Sequence, residues 1–376
     1  MTESNSSAFD SALPSPVDLD RVRGIFHTLP YHFELGSDRL TVSQDQHFST
    51  VYFGEESSLC LIVLSQIRIP LDMFTINELA RAITLWNAEY LGAAALLNMA
   101  DDGAIEVRFR CSLNVEEGLT TAQLEKFLAG ALAATEMAVD FMVERFSDLA
   151  IAGSGSDQLR DIQDEILRTQ EIPGLLVPMS FSAEDDKLDE FDFEFADGDP
   201  DANPDADPDD DSYSDEYEDY LQEDELMEAE HHVDEVTIEK VNEVLAEKGI
   251  VHTSWDEQFL GAWINEIFIA FVLDNGPTLV IKGDWDPGLD PTRDFMKVFM
   301  TCNQHNERAL LTKAFCHENG DGLQVRVEFS IAVGEGLSKA QLERNVDLAI
   351  HHILTSIDAL SREITGNTAV NWPEDF

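Results

Sequence analysis

The strongest constraint on this chain is that part of it occurs twice. Residues 118–125 read GLTTAQLE and residues 336–343 read GLSKAQLE, an offset of 218. Val107-Arg108 falls opposite Val325-Arg326 at the same offset, and LCLIV from Leu59 resembles the LTLVI that ends at Ile281. Landmarks repeated in one order mark a duplicated domain, and the period is far too long for a solenoid. A chain of 376 residues accommodates two such domains comfortably.

Each copy carries the same succession of local signals. Ser15-Pro16 is a helix-opening pair, followed by Leu19, Val22, Ile25 and Phe26 on one face and Pro30 as the stop. Its counterpart places Ile238, Val241, Val244 and Leu245 on one face, with Gly249 suited to the C-terminal cap. Three strand-like runs come next, clearest in FLGAWI, IFIAFVL and TLVIKG of the second copy. Thr75 with Glu78 reads as a capping box for a helix burying Ile76, Leu79, Ile83 and Trp86. The matching helix opens at Asp290-Pro291 and buries Phe295, Val298, Phe299 and Cys302. Two further strands meet at Asp102-Gly103 in one copy and at Asn319-Gly320-Asp321-Gly322 in the other. Thr120 with Gln123, and Ser338 with Gln341, cap a long closing helix. Its apolar face is Leu124, Leu128, Ala131, Ala138 and Met142 in one copy, and Leu342, Val346, Ile350, Ile353, Ile357 and Leu360 in the other. The order helix, three strands, helix, two strands, helix predicts an antiparallel α+β fold, not a doubly wound sheet.

Between the copies lies a stretch that no fold can bury. Residues 184–230 contain 24 acids and a single base, Lys187. They carry −23 of the formal net charge of −52. Asp and Pro alternate through DGDPDANPDADPDDD, so self-repulsion and low apolar content predict a disordered, extended linker. The expected division is a polar tail over 1–16, a first domain over 17–149, a connecting segment over 150–183, the acidic linker over 184–230, a second domain over 231–366 and a tail over 367–376. Phe191, Phe193 and Phe195 alternate with acids in FDFEF, a pattern of disordered recognition segments, against the plainer reading of a fraying end. Asp205, Asp207, Asp209, Asp211 and Glu216 fit an EF-hand count, but Asp210 stands where that loop needs Gly and Pro208 interrupts it.

The same charge excludes function classes. A strongly anionic protein repels phosphate backbones and anionic membranes, which argues against nucleic-acid and membrane partners. No window approaches the ~20 apolar residues of a membrane helix, and MTESNSSAFDSALPSP has neither the basic start nor the apolar centre of a signal peptide. Four cysteines without paired spacing point to a reducing compartment, so a cytoplasmic location is expected. Phosphate-loop, dinucleotide, nucleophile-elbow and zinc-protease motifs are absent, so no catalytic residue and no cofactor is assigned. Cys302, His305, Cys316 and His317 are the richest zinc-like grouping, although Cys302 and Cys316 fall in apolar runs that favour buried free thiols. His351-His352 and His231-His232 read as solvated flank pairs.

The order of elements resembles that of YbjN-domain proteins. The likeness rests on Trp86-Asn87-Ala88-Glu89 at the end of the second helix and on a G-L-T/S-x-x-Q-L start to the third. It covers both copies and leaves out the acidic middle. In the second copy, Cys302-Asn303 is taken as the match to Trp86-Asn87, with two residues inserted near His305. The resemblance implies a bacterial sensory-transduction regulator with a fold similar to type III secretion chaperones and no catalytic set. It gives Trp86 a core role, Asn87 and Asn303 a helix-end role beside Glu89, and Gly118 and Gly336 a tight turn before a helix. The function expected is a non-enzymatic, chaperone-like binding module for an unknown protein client, in signalling or stress response, with the two domains able to pair. The alternatives are divalent-cation sensing through the acidic segment and an enzyme with an unrecognised pocket.

Overall fold

The computed structural model describes residues 13–100, 103–149, 231–273, 277–320 and 322–372. The acidic segment lies outside these residues, and with it Phe191, Phe193, Phe195, Asp205, Asp207, Asp209, Asp211 and Glu216. The first copy comprises α1 (Leu19–Phe26), β1 (Phe33–Leu35), β2 (Arg39–Ser43), β3 (His47–Glu55), β4 (Leu59–Ile67), α2 (Ile76–Glu89), β5 (Ala94–Met99), β6 (Ile105–Asn114) and α3 (Thr121–Arg145). The second repeats it as α4 (Ile238–Glu247), β7 (His252–Trp255), β8 (Phe259–Ile264), β9 (Ile267–Leu273), β10 (Thr278–Leu289), α5 (Phe295–Arg308), β11 (Thr312–Asn319), β12 (Gly322–Ala332) and α6 (Lys339–Thr365).

The sheets share one topology, β1-β2-β3-β4-β6-β5 and β7-β8-β9-β10-β12-β11, antiparallel throughout. Each has one strand more than the three-plus-two pattern of the sequence. The additions, β1 and β7, are short edge strands whose residues are mostly exposed, so no buried alternation announces them. The long helices carry the expected cores: Leu124, Leu128, Ala131, Ala138 and Met142 are buried on α3, and Leu342, Val346, Ile353, Ile357 and Leu360 on α6. Both expected capping boxes form, at Thr120 with Gln123 and at Ser338 with Gln341.

Three helix starts differ from expectation. Ser15 does not cap α1; it forms a bridge with Leu119, and Asp18 caps the helix by accepting Arg21 N–H at 2.7 Å. Thr75 is already helical and gives its hydroxyl proton to Asp72 O, while Asp72 caps a single 3₁₀ turn that leads into α2. Asp290 likewise caps the turn before α5, accepting the N–H groups of Thr292 and Arg293 at 2.9 Å. In each case an aspartate carboxylate accepts the first free N–H groups of the turn that leads into the helix.

Among the described residues, Gly118 and Gly336 are the equivalent pair at which positive φ and a close backbone crossing together demand glycine. They have φ of 68° and 73°, and an added Cβ would lie 2.7 Å from the Ser15 backbone or 2.5 Å from Asp234 O. The leader of each copy crosses here, through the matching bridges Ser15–Leu119 and Asp234–Leu337. Gly366, at φ 84°, has open space around its Cβ direction. Gly336→Ala is therefore expected to lose about 2–4 kcal/mol in urea unfolding, and Gly366→Ala only about 1 kcal/mol. Equal losses would show that conformation alone, and not the crossing, imposes the glycine.

Candidate functional site at the seam between the copies

The two copies share a continuous core, in which β5, α2 and the C-terminal half of α3 join the interior of the second copy. A near two-fold relation governs the seam. Gln123 Oε1 accepts Thr120 N–H at 2.8 Å as a capping-box residue should, while its Nε2 donates to Gly336 O at 2.8 Å and Gln341 Oε1 at 3.0 Å in the other copy. Gln341 reciprocates, accepting Ser338 N–H at 3.0 Å and donating to Gly118 O at 2.8 Å. One amide thus completes a helix cap with its oxygen and joins the copies with its nitrogen.

Asparagines make a second set of links. Asn87 grips its own β5, with Nδ2 to Ala95 O and Ala95 N–H to Oδ1, both at 2.8 Å. Asn306 grips Ala314 of β11 in the same way, at 2.8 and 2.7 Å. Asn306, not Asn303, is therefore the counterpart of Asn87, and His305, not Cys302, stands opposite Trp86. No insertion interrupts α5, which has 14 residues like α2. Asn303 instead reaches across the seam, accepting Leu97 N–H and donating to Leu97 O at 2.8 Å. Neither residue has the left-handed helix-end role: both are buried within helices and bond as amide mimics of a strand. Trp86 is core as expected, donating to Ala93 O at 2.7 Å and stacking on Tyr90. Glu89 is exposed at the last position of α2.

The connection from α5 to β11 is held by side chains of the first copy. Arg110 donates to Asn306 O and, at 2.9 Å, to Thr312 O. Glu56 Oε2 accepts the N–H groups of Leu310 and Leu311 at 2.5 and 3.3 Å. Leu310 and Leu311 pack on Tyr52, Cys60 and Ile62 of the first sheet. Lys313 donates to Tyr90 O at 2.9 Å and pairs with Glu328 at 3.0 Å, both ions being at most 8% exposed. Removing either ion would strand the other in low dielectric. A cavity of ≈ 270 Å³ opens beside these groups, lined by Arg110, Ser112, Lys313 and Glu328 and by apolar residues of both copies.

The zinc-like residues are not gathered there. Cys316 and His317 are adjacent on β11 and point to opposite faces of the sheet. Burial keeps both Cys302 and Cys316 thiols protonated, the latter with its pKa pushed up to about 12. His305 Nε2 sits 3.3 Å from Thr312 Oγ1. Among the described residues, no three His, Cys, Asp or Glu side chains are placed to hold a metal ion. His351 is exposed, but His352 is buried with Nδ1 3.8 Å from Glu56 Oε1, which corrects the solvated reading of that pair. Glu56, Arg110, Ser112, Lys313 and Glu328 lie in no motif, and only the sheet registers bring them to one place.

The sequence comparisons bear directly on the repeat. The family model described as "Putative bacterial sensory transduction regulator", YbjN, matches residues 18–144 and 237–362. The chain belongs to the YbjN family. The two YbjN domains coincide with the two sheets and their helices. A crystal structure of YbjN from E. coli, described as "a putative transcription regulator", is similar at 16% identity with a TM-score of 0.31, covering 37% of this chain and 99% of that one. No curated protein matches the chain. No helix among the described residues is long and apolar enough to cross a membrane.

His305 supplies a pH test of the seam between the YbjN domains. Burial first, and Arg110 second, lower its pKa from 6.5 to about 4. The folded state thus keeps it neutral where the unfolded chain takes up a proton. Its contribution is full above pH 6.5 and is lost as pH falls through about 4, at up to ~1.4 kcal/mol per pH unit. Urea unfolding at pH 7 and pH 5 should show a smaller acid-induced loss for His305→Gln than for the parent chain. Parallel losses would remove His305 from the account.

Proposed function

We propose that the protein is a non-enzymatic regulatory module that binds a protein client, with the two YbjN domains acting as one body. The observation that carries this reading is an aromatic ridge on the outer face of the second sheet. Trp263 of β8 is 62% exposed and pairs in register with Phe268 of β9, their rings 5.4 Å apart. Phe259 continues the ridge along β8, and both phenylalanine rings occupy the space above Gly261. Trp255 of the edge strand β7 is not part of the ridge, because it pairs in register with the buried Leu260 and so points to the other face of the sheet.

By register, the first copy has Arg39 and Ser43 where the second has Phe259 and Trp263. Equivalent positions of a duplicated fold therefore differ in kind, and the aromatic version faces water. An exposed tryptophan seated on two half-buried phenylalanines, one strand in from an open sheet edge, suits a client docked by a side-chain anchor or strand addition. The family description, a sensory-transduction regulator, supports a regulatory setting.

Full-length protein immobilised in a lysate of its source cells should retain a specific client. Trp263→Ser should cut recovery about tenfold or more at unchanged melting temperature, since a central tryptophan anchor is worth ~2 kcal/mol or more. Recovery that is unaffected by this substitution, or no specific client at all, would refute the reading.

A further inference from the structure

The seam cavity serves no purpose in the client-binding reading, yet its walls are costly to build. Arg110, Lys313 and Glu328 are each only 5–6% exposed and all line it. Ser112 Oγ, also in its wall, is buried without a hydrogen-bond partner. Buried polar atoms without partners call for an explanation, and a polar cavity beside them provides one.

The two domains contribute opposite charges from equivalent positions. Arg110 on β6 and Glu328 on β12 are related by the same 218-residue offset as Val107 and Val325, and Ser112 is related to Ser330. A homodimer of one unit would place like groups at both positions; duplication let them diverge. The outcome is that two buried cations, Arg110 and Lys313, and one buried carboxylate, Glu328, line the cavity, with the Glu56 carboxylate close to Arg110 outside the lining. Glu328 is engaged by Lys313, and the Arg110 contacts resolved in the seam are both to backbone carbonyls. Lys126, Glu117 and Glu335, none of them buried, complete the charged lining. Leu91, Phe127, Leu310 and Ile331 supply the apolar remainder of the wall.

We propose that this cavity binds a small amphipathic carboxylate, with the carboxylate toward Arg110, Lys313 and Ser112 and an apolar ring or short chain along the leucine, phenylalanine and isoleucine wall. Buried cations beside a hydroxyl without a partner offer an anion's oxygens both charge and a hydrogen-bond donor. A cavity of ~150 Å³ accepts benzene, so ≈ 270 Å³ suits an aromatic ring bearing a carboxylate or a chain of about six to eight carbons. Because the wall is drawn from both YbjN domains, such a ligand favours the closed seam over any opened one.

Calorimetry on the full chain with benzoate and octanoate, and with the neutral benzyl alcohol and octanol, tests the proposal. One or both carboxylates should bind saturably below about 1 mM, about tenfold or more tightly than the matching alcohol. Arg110→Gln should reduce that preference toward unity. Arg110 also holds the α5–β11 connection, so a second variant guards against loss of fold. Gly130 lines the cavity mouth on α3 with nothing within 4 Å of its Cβ direction, and Gly130→Trp should abolish binding at unchanged melting temperature. No saturable binding of either carboxylate, equal affinity for the alcohols, or undiminished binding in Gly130→Trp would each overturn it.

Discussion

The reciprocal bonds of Gln123 and Gln341 are the interaction on which the rest of the structure depends. Each side chain is buried, and each completes a capping box before it reaches the other domain. An amide carries an acceptor oxygen and a donor nitrogen, so closing the local cap with the oxygen and crossing the seam with the nitrogen satisfies both ends of each side chain. The same bonds fix the relative rotation of the two domains, because both donors end on backbone carbonyls of glycines that cannot move freely. Everything else at the seam, from Asn303 on Leu97 to Glu56 on Leu310 and Leu311, follows from that alignment.

Near symmetry also explains where the molecule departs from symmetry. Positions that hold one domain together are kept in both: the capping boxes, the glycine crossings, and the Asn87 and Asn306 clamps. Positions that face the other copy or water have diverged, such as Arg110 against Glu328 and Ser43 against Trp263. A duplicated chain can place different groups on the two sides of its axis, which an association of identical units cannot. The aromatic ridge and the charged cavity both arise from this freedom. By register they share one face of the second sheet, the ridge on β8 and β9 and the cavity wall on β11 and β12.

Much of the fold was legible in the linear pattern because local rules set it. Helical periodicity identified the faces of α3, α4 and α6, and the capping boxes of α3 and α6 sat where Thr120 and Ser338 placed them. Those signals depend on neighbours three or four residues away, which sequence displays directly. The short edge strands β1 and β7 escaped because exposed strands carry no buried alternation. The match of Asn87 to Asn303 failed for a related reason: asparagine type alone cannot distinguish a clamp on its own strand from one across the seam.

What the sequence determined by itself was a duplicated α+β domain, its helices and their apolar faces, since these follow from periodicity and chain-local hydrogen bonds. Only the tertiary structure decided that the copies close on one another and that Arg110, Ser112, Lys313 and Glu328 meet around a cavity. Those residues come from strands more than 200 positions apart, and their proximity depends on sheet register and on one shared axis. Long-range packing sets both, and no window of sequence contains it.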